Sequence, residues 1–119
     1  MQIFTRLQKN SYIVALNGKL DTENAVTVQD ILLEALLLDT KEVMVDCEGL
    51  EDVSPSSLKS FVSTIRNLQQ NRIGVVLIGV SQALNELFSV IGLNDFTRRL
   101  PSSVLISDDS LVDLYFCEL

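Results

Sequence analysis

The stretch Asp46-Cys47-Glu48-Gly49-Leu50-Glu51-Asp52-Val53-Ser54-Pro55-Ser56-Ser57-Leu58 constrains this chain more than any other. Before it, Glu42 to Asp46 is a short apolar run of strand length. After it, apolar residues recur at Leu58, Phe61, Val62, Ile65 and Leu68, a spacing that keeps one face of an α-helix apolar. Ser54 stands where an N-cap belongs, because its hydroxyl can accept from a free first-turn N–H. Pro55 follows at the first helical position, where the missing N–H costs nothing. The helix is expected to run to about Gln70 and to end at Asn71-Arg72. Strand, turn and helix together bring Ser54, Ser56 and Ser57 to the positive end of a helix at the end of a strand. That is a common place for a site in α/β proteins.

The rest of the chain alternates strand-like and helix-like patterns. Residues 2–7 and 11–17 read as strands joined by a turn at Lys9-Asn10, the second apolar on both faces as in a central strand. Gly18-Lys19-Leu20-Asp21 breaks the pattern, and Asp21 or Thr22 is expected to cap a helix over about 22–38. Ala25, Val28, Ile31, Leu32, Ala35 and Leu36 form its core face. Val26, Leu33 and Leu37 form a second apolar stripe, read either as the flank of the core or as a partner or dimer surface. Lys41 to Cys47 reads as a third strand, and Gly49 and Asp52 as a turn. Ile73 to Ile78 reads as a strand covered on both faces. Ser81 caps a third helix carrying Leu84, Leu87, Phe88 and Ile91, with Gly92 as its stop. Asn94 to Leu100 reads as loop or short strand, Ser103 to Ser107 as an edge strand, and Asp108-Asp109-Ser110 as the start of a last helix with Leu111, Leu114 and Tyr115. This order predicts a single α/β domain over residues 1–119 with a mixed sheet.

Composition excludes several functions. A net charge of −7 argues against nucleic acid, which demands a basic footprint, and against anionic lipid. No apolar run reaches the roughly 20 residues that span a bilayer, and the first residues lack the order of a signal peptide. Cys47 and Cys117 are expected as small reduced hydrophobes, so a cytoplasmic location is expected. Histidine is absent, which removes the commonest general base and most zinc sites. No phosphate-loop motif occurs. Glu48, Glu51 and Asp52 cluster before the helix and read as a solvated loop rather than a cation site. The expectation is a non-enzymatic domain with no cofactor and no metal. Ser54 is accounted for by capping alone. The functional alternative for Ser54, Ser56 and Ser57 is phosphorylation, which suits a helix N-terminus yet adds about two negative charges to an exposed surface.

Three segments then carry a resemblance. Asn17-Gly18-Lys19-Leu20-Asp21-Thr22-Glu23-Asn24-Ala25 resembles the Gly-x-Leu-Asp-x-x-x-Ala segment of the STAS domain. Val45 through Leu58 resembles the strand, loop and helix start that carry that family's Asp-Ser-Ser-Gly-Leu motif. Val80 through Leu93 resembles its third helix and following Gly-Leu. Order and spacing agree over nearly the whole chain, most closely with stand-alone bacterial anti-sigma-factor antagonists. The resemblance implies a mixed sheet of four or five strands with helices mainly on one side. It implies a protein that regulates transcription by binding an anti-sigma factor that is a serine kinase, which in turn phosphorylates the antagonist. The implied surface is the Ser54–Lys59 helix start (Ser54, Pro55, Ser56, Ser57, Lys59) beside the loop Gly18, Leu20, Asp21 and Thr22, with Leu58 in the core. Aligned from Asp46, the motif Asp falls on Ser54, the phospho-acceptor on Pro55, the next Ser on Ser56 and the Gly on Ser57. Pro55 has no hydroxyl. Either Ser56, Ser54 or Ser57 serves instead, or binding is constitutive, or the domain belongs to another assembly. The family also supplies accessory subunits of membrane transport complexes for lipids or anions, and of sensor complexes. A homodimer through Val26, Leu33 and Leu37 is a further expectation.

Overall fold

The computed structural model describes residues 1–91, 98–100 and 114–118. Strand β1, Gln2–Gln8, turns at Lys9 into β2, Ser11–Leu20. Helix α1, Ala25–Leu33, tightens into a 3₁₀ turn at Glu34–Leu36. Strand β3 is Glu42–Asp46 and β4 is Leu50–Val53. Helix α2 is Pro55–Gln70, β5 is Gly74–Ile78 and α3 is Gln82–Val90. Two edge strands follow, β6 at Arg98–Leu100 and β7 at Leu114–Glu118.

The sheet runs β6-β5-β3-β2-β1-β7, with β4 paired to β2 off that path. Its body is the five strands β1 to β5, within the four or five expected, and β6 and β7 lengthen it at either edge. It is mixed: β2 pairs antiparallel with β1 but parallel with β3 and β4, and β3 parallel with β5. Registry places Ile3, Tyr12, Val14, Leu16, Val43, Val45, Val75 and Leu77 on one face. On that face they join a single buried cluster with Val28 and Leu32 of α1, Phe61, Ile65 and Leu68 of α2, and Leu84 and Phe88 of α3. Phe61 and Phe88 stack with ring centroids 6.0 Å apart and bind α2 to α3. Ile13, Val76 and Ile78 on the reverse face are buried as well, as the apolar runs predicted. Tyr12 donates to the Glu34 carboxylate at 2.9 Å, and burial first, then Glu34, pushes its phenol far up from the ordinary value.

Four expectations change. Gly18–Leu20 is strand rather than a break, because β4 supplies a second parallel partner where β3 ends. Gly18 accommodates the shift in register with φ of 115°. Residues 50–53, expected as turn, are that partner. The helix over 22–38 is shorter, and Leu36, expected in the core, lies 39% exposed once the 3₁₀ turn rotates it outward. Leu114 and Tyr115 belong to β7 rather than a last helix. The run Leu114-Tyr115-Phe116 suits a pleated strand, and β1 offers it an antiparallel edge. Gly92, Ser103–Ser107 and Asp108–Leu111 lie outside the described residues, and residues 94–97 likewise.

Candidate functional site

The site is built where β2 and β4 end together. Ser54 donates its backbone N–H to the Leu20 carbonyl at 2.9 Å, so the strand-to-helix turn is pinned to the end of β2. The chain reaches this point through Gly49, whose carbonyl accepts from the Gly18 N–H at 2.9 Å. A Cβ on Gly49 would collide with the Asn17 side chain and stand 3.3 Å from its Cα, so a larger residue fits there only if the Asn17 side chain moves aside.

Ser54 has extended backbone angles and its Oγ accepts from the Ser57 N–H at 3.3 Å, the capping geometry its position predicted. Its Oγ lies 2.7 Å from Ser57 Oγ and 3.5 Å from Ser56 Oγ. Ser56 Oγ in turn lies 3.1 Å from Thr22 Oγ1. Four hydroxyls thus form one chain across the gap between the 18–22 segment and the start of α2.

The other side of the gap is held by a reciprocal pair. Asp21 Oδ1 accepts from the backbone N–H groups of Glu23 and Asn24, and Asn24 Oδ1 accepts from the Asp21 N–H at 2.9 Å. That is capping-box chemistry placed one turn ahead of α1. Asp21 therefore does cap, while the regular helix begins only after Asn24, which makes no side-chain cap bond to it. Asn24 Nδ2 also donates to the Lys19 carbonyl at 2.8 Å, tying the box to β2. Asn24 is buried and central to the site's shape, and it was not singled out beforehand. The Asp21-x-x-Asn24 spacing was the available signal.

The nominated residues divide by exposure. Pro55, Ser56, Lys59, Asp21 and Thr22 are exposed; Gly18 and Ser54 are half-buried. Ser57 is 1% exposed and Leu20 2% exposed, so both support the surface from beneath and neither presents a group to a partner. Leu58 lies in the core, as expected. Glu48, Glu51 and Asp52 are exposed, and among the described residues no group of three or more acidic or cysteine side chains could hold a metal ion. Burial pushes the Asp46 carboxyl above its ordinary range. The Glu48 backbone N–H, 3.0 Å from Oδ1, works against the rise and the Glu48 charge adds to it. Cys47 is buried. No helix among the described residues is long and apolar enough to cross a membrane.

This architecture has known counterparts. Residues 3–106 match the family described as Mlab, STAS domain, and the chain belongs to the STAS family. The anti-sigma-B factor antagonist of Staphylococcus aureus strain NCTC 8325 is 28% identical over 95 residues, covering 80% of this chain and 88% of that protein. Among solved structures, an anti-sigma factor antagonist from Mycobacterium paratuberculosis superposes with a TM-score of 0.73 at 15% identity, covering 88% of this chain and 91% of the other. The phosphorylated form of the Bacillus cell fate determinant SpoIIAA superposes at 0.69 and 15% identity, covering 87% and 96%. At such identities these two likenesses establish the fold.

Proposed function

We propose that this chain is an anti-sigma-factor antagonist: a binding protein, not an enzyme, that regulates transcription by holding an anti-sigma factor of the serine-kinase type. The observation that carries the reading is the Thr22–Ser56 contact. It joins Gly18, Asp21 and Thr22 to Ser54, Pro55, Ser56 and Lys59 in one surface at the positive end of α2. The curated relatives, named for antagonism of anti-sigma-B factor, favour this over the transport or sensor subunit that the family also includes.

Ser56 is the phospho-acceptor in this reading. Ser57 is buried, and Ser54 is occupied as the cap, whereas Ser56 is exposed with its Oγ facing Thr22. Phosphate there sits favourably for the helix dipole while displacing the Thr22 contact and adding about two negative charges beside Asp21. Affinity capture from the source cell, with mass spectrometry of partners and of bait serines, tests both statements. The expected result is a serine-kinase-type anti-sigma factor, phosphate on Ser56, and loss of capture by Ser56→Glu. Transporter subunits in its place would overturn the reading, and the same kinase with an unmodified Ser56 would leave binding constitutive.

A homodimer is proposed through the second stripe of α1 and its 3₁₀ turn, because Val26 is 62% and Leu37 86% exposed while Leu33 is half-buried. Sedimentation of Leu37→Asp against the wild type tests it, and a wild type that stays monomeric at high concentration refutes it.

A further inference from the structure

The surface at Thr22 and Ser56 has a seam behind it. Ala25 and Gln29 of α1 and Ser57, Ser60 and Thr64 of α2 line a partly open crevice of about 180 Å³, with the buried Phe61 beneath. Nowhere is the crevice wide enough to hold a water molecule. The α2 residues recur three and four apart and the α1 residues four apart, so one face of each helix is turned to the other. Apart from Gln29 these side chains are small. Two of the hydroxyls are satisfied on their own side: Thr64 Oγ1 donates to the Ser60 carbonyl at 2.8 Å, and Ser57 Oγ lies 2.7 Å from Ser54 Oγ. The width of the seam is therefore a matter of side-chain size. It lies about one helical turn behind the surface, since Thr22 stands three residues before Ala25 and Ser56 four before Ser60. The Ala25 N–H donates to the Asp21 carbonyl at 3.0 Å, so the turn that holds Thr22 is continuous with α1 and is carried by it.

We infer that this seam is a spacer: Ala25 and Ser60 are positioning residues whose small side chains set the width of the binding surface. A partner is held only while α1 lies close enough to α2 for Thr22 to reach Ser56. A larger side chain has no room in a slot too narrow for water, so the helices must part to admit it. A parting of about 1 Å takes a hydroxyl pair at 3.1 Å out of hydrogen-bond range. The two halves of the surface, Asp21 and Thr22 on one side and Pro55, Ser56 and Lys59 on the other, then no longer present one fixed spacing to a partner. The inference deepens the antagonist reading, and its statement about partner binding rests on that reading. Its statement about the spacing of Thr22 and Ser56 stands on the seam alone.

Ser60 is replaced by Ala, Val and Leu in the full chain. The backbone amide signals of residues 21–24 and 56–57 are followed in each variant, together with its affinity for the captured anti-sigma factor. Ser60→Ala should leave both near wild type. Ser60→Val and Ser60→Leu should displace the signals in order of size and weaken binding, by about tenfold for leucine. Melting curves establish which variants are folded, and Ser60→Val carries the test if leucine is too large for the fold. Gln29→Ala empties the other side of the crevice, so Ser60→Leu/Gln29→Ala should recover both signals and affinity. A serine that merely touched the partner would not be rescued from α1. Four results would overturn the proposal: undisplaced 21–24 signals in a folded Ser60→Val or Ser60→Leu, displaced signals with full binding, loss of binding in Ser60→Ala, or a double variant no better than Ser60→Leu. A wild type that binds no anti-sigma factor retires the antagonist reading. Signals displaced in order of size and restored by Gln29→Ala would still support the spacer.

Discussion

The turn that leads into α1 lies within hydrogen-bond reach of the start of α2, yet the two helices start differently. At α2 a serine caps directly: Ser54 Oγ takes the Ser57 N–H, Pro55 fixes the first turn, and sixteen residues of helix follow. At α1 the capping atoms belong to Asp21 and Asn24 a turn earlier, and only nine residues follow before the helix tightens into 3₁₀. The first start is a local device that works wherever it is placed. The second is a joint, because Asn24 closes its box and at the same time grips the Lys19 carbonyl of β2. A surface made from both inherits a rigid half from α2 and a half positioned by the sheet.

That contrast predicts an order of effects. Asn24→Ala should cost most, about 2 kcal/mol, since it leaves the Asp21 N–H and the Lys19 carbonyl without their side-chain partner in a partly buried place. Urea unfolding measures it, and loss of the amide signature of the 21–24 turn should accompany it. A cost under a few tenths would mean the joint is an ordinary loop. Ser54→Ala should cost about 1 kcal/mol as a lost cap. Because it also strands the buried Ser57 hydroxyl, the Ser54→Ala/Ser57→Ala double variant should cost less than the two single changes together. Strict additivity would show that the two hydroxyls are independent.

Pro55→Ala should cost about 0.5 kcal/mol, through the greater freedom of the unfolded chain, and leave the helix in place. Far-ultraviolet dichroism that falls would give Pro55 a larger part in the start than an N1 residue has.

The smallest effect is at Asp46, the last residue of β3. Its folded carboxyl holds its proton to higher pH than the unfolded one, so between the unfolded value and the raised folded value the native state binds more protons. This contribution is present below the unfolded value and is lost as pH rises through the folded one. Asp46→Asn, which keeps an oxygen for the Glu48 N–H, should be slightly more stable than wild type at pH 7 and lose that advantage below pH 4. Equal melting temperatures at both pH values would refute it.

Much of this was legible before the structure. The helix start at Ser54 and Pro55, the caps at Ser54 and Ser81, the buried face Leu58, Phe61, Ile65 and Leu68, and the strands from Glu42 and Gly74 follow from patterns that act over a few residues. Strand β4 was not legible, because Leu50-Glu51-Asp52-Val53 has little strand character of its own and depends on the free edge of β2 at Gly18–Leu20. The early end of α1 was hidden for a similar reason. Leucines 36, 37 and 38 continue an apolar helical pattern, and nothing local says that the backbone turns aside at Glu34.

By itself, then, the sequence determined the alternation of strands and helices, the place of the three hydroxyls at a helix N-terminus, and the acidic charge. Capping, periodicity and charge are short-range properties that each segment carries with it. Tertiary structure decided that Ser57 is buried and Ser56 presented, that Thr22 stands 3.1 Å from Ser56, and that Asn24 is the pin between strand and helix. Those facts rest on β2 lengthening to pair with both β3 and β4, which brings the 18–24 segment against the start of α2 across more than thirty residues of chain. Hydrogen bonds of that range are set by which strand edges are left open, and no single segment contains that information.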